Sequence, residues 1–137
     1  MREQIQFTES SLSKWAGMGD YQLVSPDGQH TIELVYDGEP PHGDSYHKAV
    51  IDGKVFPAYV WGCMFTFSSC SRYLMFSAMR TKFERLSVVV DLKASQYYVL
   101  PEYIHHAEVS WPGILGIGPV SQGKRYTFNG TESWLPC

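Results

Sequence analysis

The chain has 137 residues, 44% hydrophobic, 18% charged and 15% aromatic, which suits one globular domain with a real core and excludes a disordered segment. A formal net charge of −3 argues against a general nucleic-acid binder. The longest apolar run, residues 55–67, contains Pro57 and is too short to span a bilayer.

Residues 1–20 are polar and without a strong period. The Ser10-Ser11-Leu12-Ser13 cluster before Lys14-Trp15-Ala16 reads as a short helix or a loose arm, ended by Gly17 and Gly19. From residue 21 the chain reads as strands. Tyr21 to Val24 is short and apolar, Pro26-Asp27-Gly28 is a turn, and residues 31–36 are rich in β formers. Residues 37–45 form the clearest loop, and residues 46–51 resume a strand. Asp52-Gly53 is a two-residue hairpin signal, and Pro57 makes its return strand an edge or a bulge. Tyr59 to Phe67 is continuously apolar, as expected of a strand buried on both faces. Strands follow over residues 72–79, 86–92 and 97–100, then 103–111, a Gly/Pro-rich stretch at 112–119, and residues 125–128 before an Asn129-Gly130 turn. The expected class is all-β, built from antiparallel β-meanders in an open sheet or a two-sheet sandwich.

A phrase occurs twice. Val24-Ser25-Pro26-Asp27-Gly28-Gln29-His30 lines up with Phe67-Ser68-Ser69-Cys70-Ser71-Arg72-Tyr73, 43 residues later. Each copy is an apolar residue, a tight turn and then a strand. Residues 49–54 also match 88–93. Repetition near 40 residues signals stacked meanders. Residues 67–76, followed by Arg85-Leu86-Ser87-Val88-Val89-Val90-Asp91-Leu92, resemble a blade of a WD40-like or TolB-type β-propeller, with Ser69-Cys70-Ser71 replacing the family's Pro-Asp-Gly. A closed propeller needs about four blades of roughly 40 residues, and this chain has room for three at most. The organisation expected is a single domain over 1–137: an N-terminal arm to residue 20, a first meander over 21–62, a second over 63–104 and a partial third unit over 105–137.

The same arrangement of turns and strands is similar to that of small bacterial immunity proteins that accompany polymorphic toxins. That resemblance implies a single cytoplasmic domain without catalytic residues, which blocks one cognate toxin. It brings no residue correspondences. Three cysteines (Cys63, Cys70 and Cys137) cannot all pair, and with no signal peptide and a polar start they also point to a reducing cytosol.

Charge locates the expected surface. Residues 1–47 carry two basic and eight acidic residues, and the remainder nine basic and six acidic. Glu33, Tyr36, Asp37, Glu39, Asp44 and Tyr46 form the expected partner-binding patch, acidic for steering a basic toxin and aromatic for anchoring. No catalytic residue, metal site or cofactor is expected, no nucleic acid or membrane partner, and a monomer or small homo-oligomer. His42, Asp44 and His47 lack a metal-ligand signature and read as a solvated loop. Adjacent His105 and His106 on a strand would point to opposite faces. Cys63 reads as core, and nothing ties a histidine to Cys70. Arg72, Arg80, Lys82, Arg85 and Lys93, interleaved with Tyr73, Phe76 and Phe83, read as a solvated sheet edge. The alternative to a toxin inhibitor is a blade-like module that pairs with other chains through edges at residues 88–92 or 125–128.

Overall fold

Apolar residues at every second position, many of them β-branched or aromatic, give this chain strands with one face to bury. A computed structural model describes residues 3–38, 45–81 and 84–137, with the backbone alone for Cys63. The strands are β1 (Glu3–Gln6), β2 (Ser13–Trp15), β3 (Tyr21–Val24), β4 (Thr31–Gly38), β5 (Tyr46–Ile51), β6 (Lys54–Val55) and β7 (Tyr59–Phe67). They continue as β8 (Tyr73–Met79), β9 (Leu86–Asp91), β10 (Gln96–Val99), β11 (Ala107–Ser110), β12 (Gly113–Gly116), β13 (Arg125–Thr127) and β14 (Leu135–Pro136). A single helical turn, α1 (Gly118–Ser121), lies between β12 and β13.

The chain is therefore all-β, and its meanders form open sheets with no closed propeller or barrel among the described residues. The large sheet runs β1-β3-β4-β5-β7-β8-β9-β10-β14, with β2 beside β7 and β6 beside β5. Pairing is antiparallel except for β1 on β3. A second sheet, β11-β12-β13, stands apart.

Side-chain parity explains the layers. Ile32 and Leu34 of β4 and Ala49 and Ile51 of β5 share one core with Leu74, Phe76 and Ala78 of β8 and Val88 and Val90 of β9. The two halves of the large sheet are paired at Tyr46↔Trp61 and His47↔Val60, with Gly62 N donating to Ser45 O at 3.3 Å beside them. Residues on both sides of that seam contribute to the one apolar cluster. The opposite face of β8 and β9, through Tyr73, Met75 and Val89, packs against Val109, Ile114 and Phe128 of the small sheet region. Hence β8 is buried at every position, and each fully buried Leu or Phe there contributes about 1.5–3 kcal/mol.

β7 needs a device to serve both halves. Val60 lies opposite Ala78 but Phe65 lies opposite Phe76, so β7 carries three extra residues between them. An odd insertion flips parity, and both Val60 and Phe65 reach the same core. Gly62, at φ 125, sits in this bulge, and a Cβ there would lie 3.3 Å from the Ser77 Cβ.

Three expectations are corrected. Residues 3–16 form neither a helix nor a loose arm: β1 and β2 join the sheet, and Phe7 is fully buried with its ring centroid 4.7 Å from that of Phe67. Burying Phe7 and Ala16 outweighs the weak helical preference of Lys14 and Ala16. Residues 86–91 are not an edge, because β9 lies between β8 and β10. His105 and His106 precede β11 in a bend, and both backbone N–H groups donate to Ser121 Oγ, at 3.0 and 3.3 Å. No helix among the described residues is long and apolar enough to cross a membrane.

Candidate partner-binding surface

The molecule has two contrasting regions. At one, four tight turns are tied to each other. Asp27 N donates to Ser71 Oγ at 3.0 Å, His30 Nδ1 meets Asp52 Oδ2 at 2.7 Å, and Leu92 N donates to Arg72 O at 2.8 Å. The repeated phrase repeats in atoms as well. Ser25 N donates to His30 O at 3.0 Å and Ser68 N to Tyr73 O at 2.9 Å. Ser25 Oγ accepts from His30 N and Ser68 Oγ from Tyr73 N, both at 3.1 Å. Gly28, at φ 75, corresponds to Ser71, at φ 65. These side chains are occupied in closing turns.

At the far ends of β4 and β8 side chains line an open groove instead. The bulge between Tyr36 and Gly38 turns Asp37 out of the ladder, and its carboxylate accepts a hydrogen bond from the Tyr59 hydroxyl, which raises the Tyr59 pKa above its ordinary value. Tyr46 meets Tyr59 edge to face, with centroids 5.3 Å apart. Gly38 makes room for this pair: at φ 144, a Cβ would sit 2.8 Å from the Tyr46 hydroxyl. Tyr46, Tyr59, Met79, Arg80 and Thr81 line a groove of about 310 Å³. It adjoins one of about 420 Å³ whose wall includes Lys48, Val55, Pro57, Tyr59, Met79 and Arg80. Val55 is 71% exposed.

Beside this, the segment before β3 folds over the end of β4. Tyr36 N donates to Asp20 Oδ1 at 2.9 Å, and His47 Nε2 donates to Gly19 O at 2.9 Å. The Tyr36 ring stands edge-on to the His47 ring at 5.8 Å. Trp15, Met18 and Tyr36 are exposed. His47 is buried, its Nδ1 lacks a partner among the described residues, and burial lowers its pKa against the opposing pull of the Gly19 carbonyl and Asp20.

Of the residues expected at the surface, the structure brings Asp37 and Tyr46 together. Tyr36 lies on the other side of the sheet, against His47. Glu33 lies within β4, between Gln22 and Val50, away from the strand end. Glu39 and Asp44, with His42, lie outside the described residues. Tyr59, Lys48, Val55 and Arg80 were not foreseen. The signals for them were Pro57, which interrupts the apolar run begun by Val55, and cations directly following or interrupting apolar strands.

Other clusters are tied up structurally. Tyr103 OH bonds Ser77 Oγ at 2.8 Å and His105 Nδ1 at 3.3 Å and accepts from Arg85 Nη1 at 3.4 Å, so serine and imidazole meet only through a phenol. The Arg85 guanidinium also covers the Trp61 ring at 4.1 Å. Arg72 forms a two-pronged pair with Asp91, at 3.0 and 2.9 Å. With Arg80 at the groove, these arginines do not form one stripe; Lys82 and Phe83 lie outside the described residues. Among the described residues no three His, Cys, Asp or Glu side chains are grouped to hold a metal ion. No protein-family model, curated protein or solved structure matches the chain, so its function is argued from this geometry.

Proposed function

We propose that this chain is a non-catalytic inhibitor that binds a bacterial toxin and covers its active site, using the surface around Asp37, Tyr46 and Tyr59. The observation that carries the reading is the contrast in side-chain employment. The polar residues of the turns close the fold, while Asp37, Tyr46, Tyr59 and Arg80 gather at an open groove that no core requirement explains. Tyr, Met and Arg are the residue types enriched in protein interfaces, and paired rings offer large contact area at low entropic cost. Asp20 and Asp37 on an acid-rich first third would speed encounter with a basic enzyme. The likeness of the turn-and-strand pattern to immunity proteins supports the choice of a toxin as partner.

The test begins with the neighbouring gene: a toxin-like open reading frame directly upstream is expected, and growth rescue is measured in bacteria that express its product. The wild-type chain is expected to restore growth. Asp37→Lys combined with Tyr46→Ala is expected to weaken binding by roughly tenfold or more and to flatten its salt dependence. Full protection by that folded double variant would sink the proposal.

A second reading rests on one observation: β13 has β12 on one side and no strand on the other among the described residues. Such an edge suits pairing between copies. Light scattering of the purified chain separates the two, since a stable oligomer without partner favours the edge.

A further inference from the structure

The groove beside Tyr59 has its own chemistry, distinct from the acidic residues next to it. Its floor and walls are apolar: Val55, Phe56, Pro57, Ala58 and Met79. Its charged residues are both cations, Lys48 and Arg80, both exposed and neither in an ion pair among the described residues. Parity puts them there. Lys48 is opposite Val35 on the face of β5 turned away from the core, Val55 is opposite Val50, and Met79 is opposite Tyr59. The outward face of β8 is covered by the small sheet at Tyr73 and Met75 and by the Tyr103 hydroxyl at Ser77. Met79, the next residue on that face, is buried as well and lines the groove together with the exposed Arg80 that follows β8. β6 also has no second neighbour among the described residues, so its outer backbone edge borders the groove.

We infer that this groove takes an acidic, extended segment of the partner protein, one that puts an apolar side chain against Val55, Pro57 and Met79 and a carboxylate near Lys48 and Arg80. The volume of about 420 Å³ is within the range of clefts that hold a small organic molecule, and so leaves room for an apolar side chain and its neighbours. The free edge of β6 suits an added strand, whose alternate side chains point into the groove. Two cations without an ion pair among the described residues, flanking an apolar floor, select against basic segments by repulsion as well as for acidic ones by attraction. This rests on the inhibitor reading and deepens it. The contact surface has an acidic half at Asp20 and Asp37 and a basic half at Lys48 and Arg80, so the partner must carry the complementary pair.

Fluorescence anisotropy tests it without the toxin. The probe is a fluorescein-labelled eight-residue peptide with a central Leu flanked by Glu on both sides, titrated with the full chain. Control peptides carry Lys for Glu, or Ala for the Leu. The Glu peptide is expected to bind at least tenfold more tightly than either control. Lys48→Glu with Arg80→Glu is expected to abolish that preference, while Tyr36→Ala leaves it intact. Both cations are exposed, so an unchanged melting temperature verifies folding of the variant. Equal binding of the Lys peptide, unchanged binding by the doubly reversed variant, or no saturable binding of the Glu peptide overturns the inference. Each of those results leaves the inhibitor reading standing, because that reading is tested by growth rescue with the wild-type chain and the Asp37 and Tyr46 variant and by light scattering, not by this peptide.

Discussion

The tight turns and the open groove are built from similar residues put to opposite use. At the turns, Ser25, Ser68, Ser71 and Asp27 bond backbone groups within their own or the neighbouring turn. At the groove, Asp37 bonds another side chain, the Tyr59 hydroxyl, and the rings of Tyr46 and Tyr59 contact each other. A polar group that satisfies backbone is bought by stability and cannot be spared for recognition. A polar group that satisfies only a second exposed side chain can exchange that partner for an incoming one at little cost.

The largest expected effect separates the two directly. Ser68 is buried, and its Oγ is the acceptor for Tyr73 N. Ser68→Ala leaves that donor unsatisfied and should cost about 1–3 kcal/mol in urea unfolding. Tyr59→Phe removes the bond to Asp37 at the groove and should leave the urea midpoint in place while weakening the complex with the proposed toxin partner. If Tyr59→Phe shifted the midpoint as far as Ser68→Ala does, the division of the molecule into scaffold and surface would fail.

The two regions should also fail in different pH windows. Burial holds the His47 pKa below its ordinary value. The unfolded chain therefore takes up a proton near pH 6.5 that the folded chain resists, and stability falls as pH drops below that point. The half-buried His106, lowered by burial and by His105, acts in the same direction. In the turns, burial alone would raise the Asp27 pKa, but hydrogen bonds from the Ser25 hydroxyl and the Gln29 backbone outweigh it and hold the carboxyl below its ordinary range. Its contribution is present above about pH 4 and is lost only below. Melting temperature followed from pH 7.5 to 5 should decline, and His47→Gln, which keeps an amide donor for the Gly19 carbonyl, should flatten the decline. An unchanged slope would remove His47 as its source.

What the sequence made legible follows the same divide. Turns announce themselves, because Pro26-Asp27-Gly28 and Asp52-Gly53 carry their conformations locally, and the all-β class followed from their spacing. The groove did not, because it is assembled from β5, β6, β7 and β8 by a seam of two residue pairs and an odd bulge at Gly62. Neither the seam nor the parity flip has a local signal. Asp37 was foreseen from its acidic neighbourhood, whereas Arg80 gained its place only as the exposed residue that follows β8. The N-terminal strands were hidden for a similar reason: Phe7 is fixed by a ring 60 positions away, at Phe67.

The smallest expected effect is the most exact probe of the turns. Gly28 and Ser71 occupy equivalent positions with φ 75 and 65. Nothing lies within 4 Å of a Cβ at Gly28, so Gly28→Ala meets only backbone strain, about 1 kcal/mol. Ser71→Gly relieves the same strain, yet it removes the Oγ that accepts from Asp27 N at 3.0 Å, worth about 0.5–1.5 kcal/mol. The two contributions oppose, and the urea midpoint should move by no more than about 0.5 kcal/mol. A clear gain on Ser71→Gly would mean that the bond between the two turns contributes nothing, and that the regularity of this region comes from the β-strands rather than from the serines that link their turns.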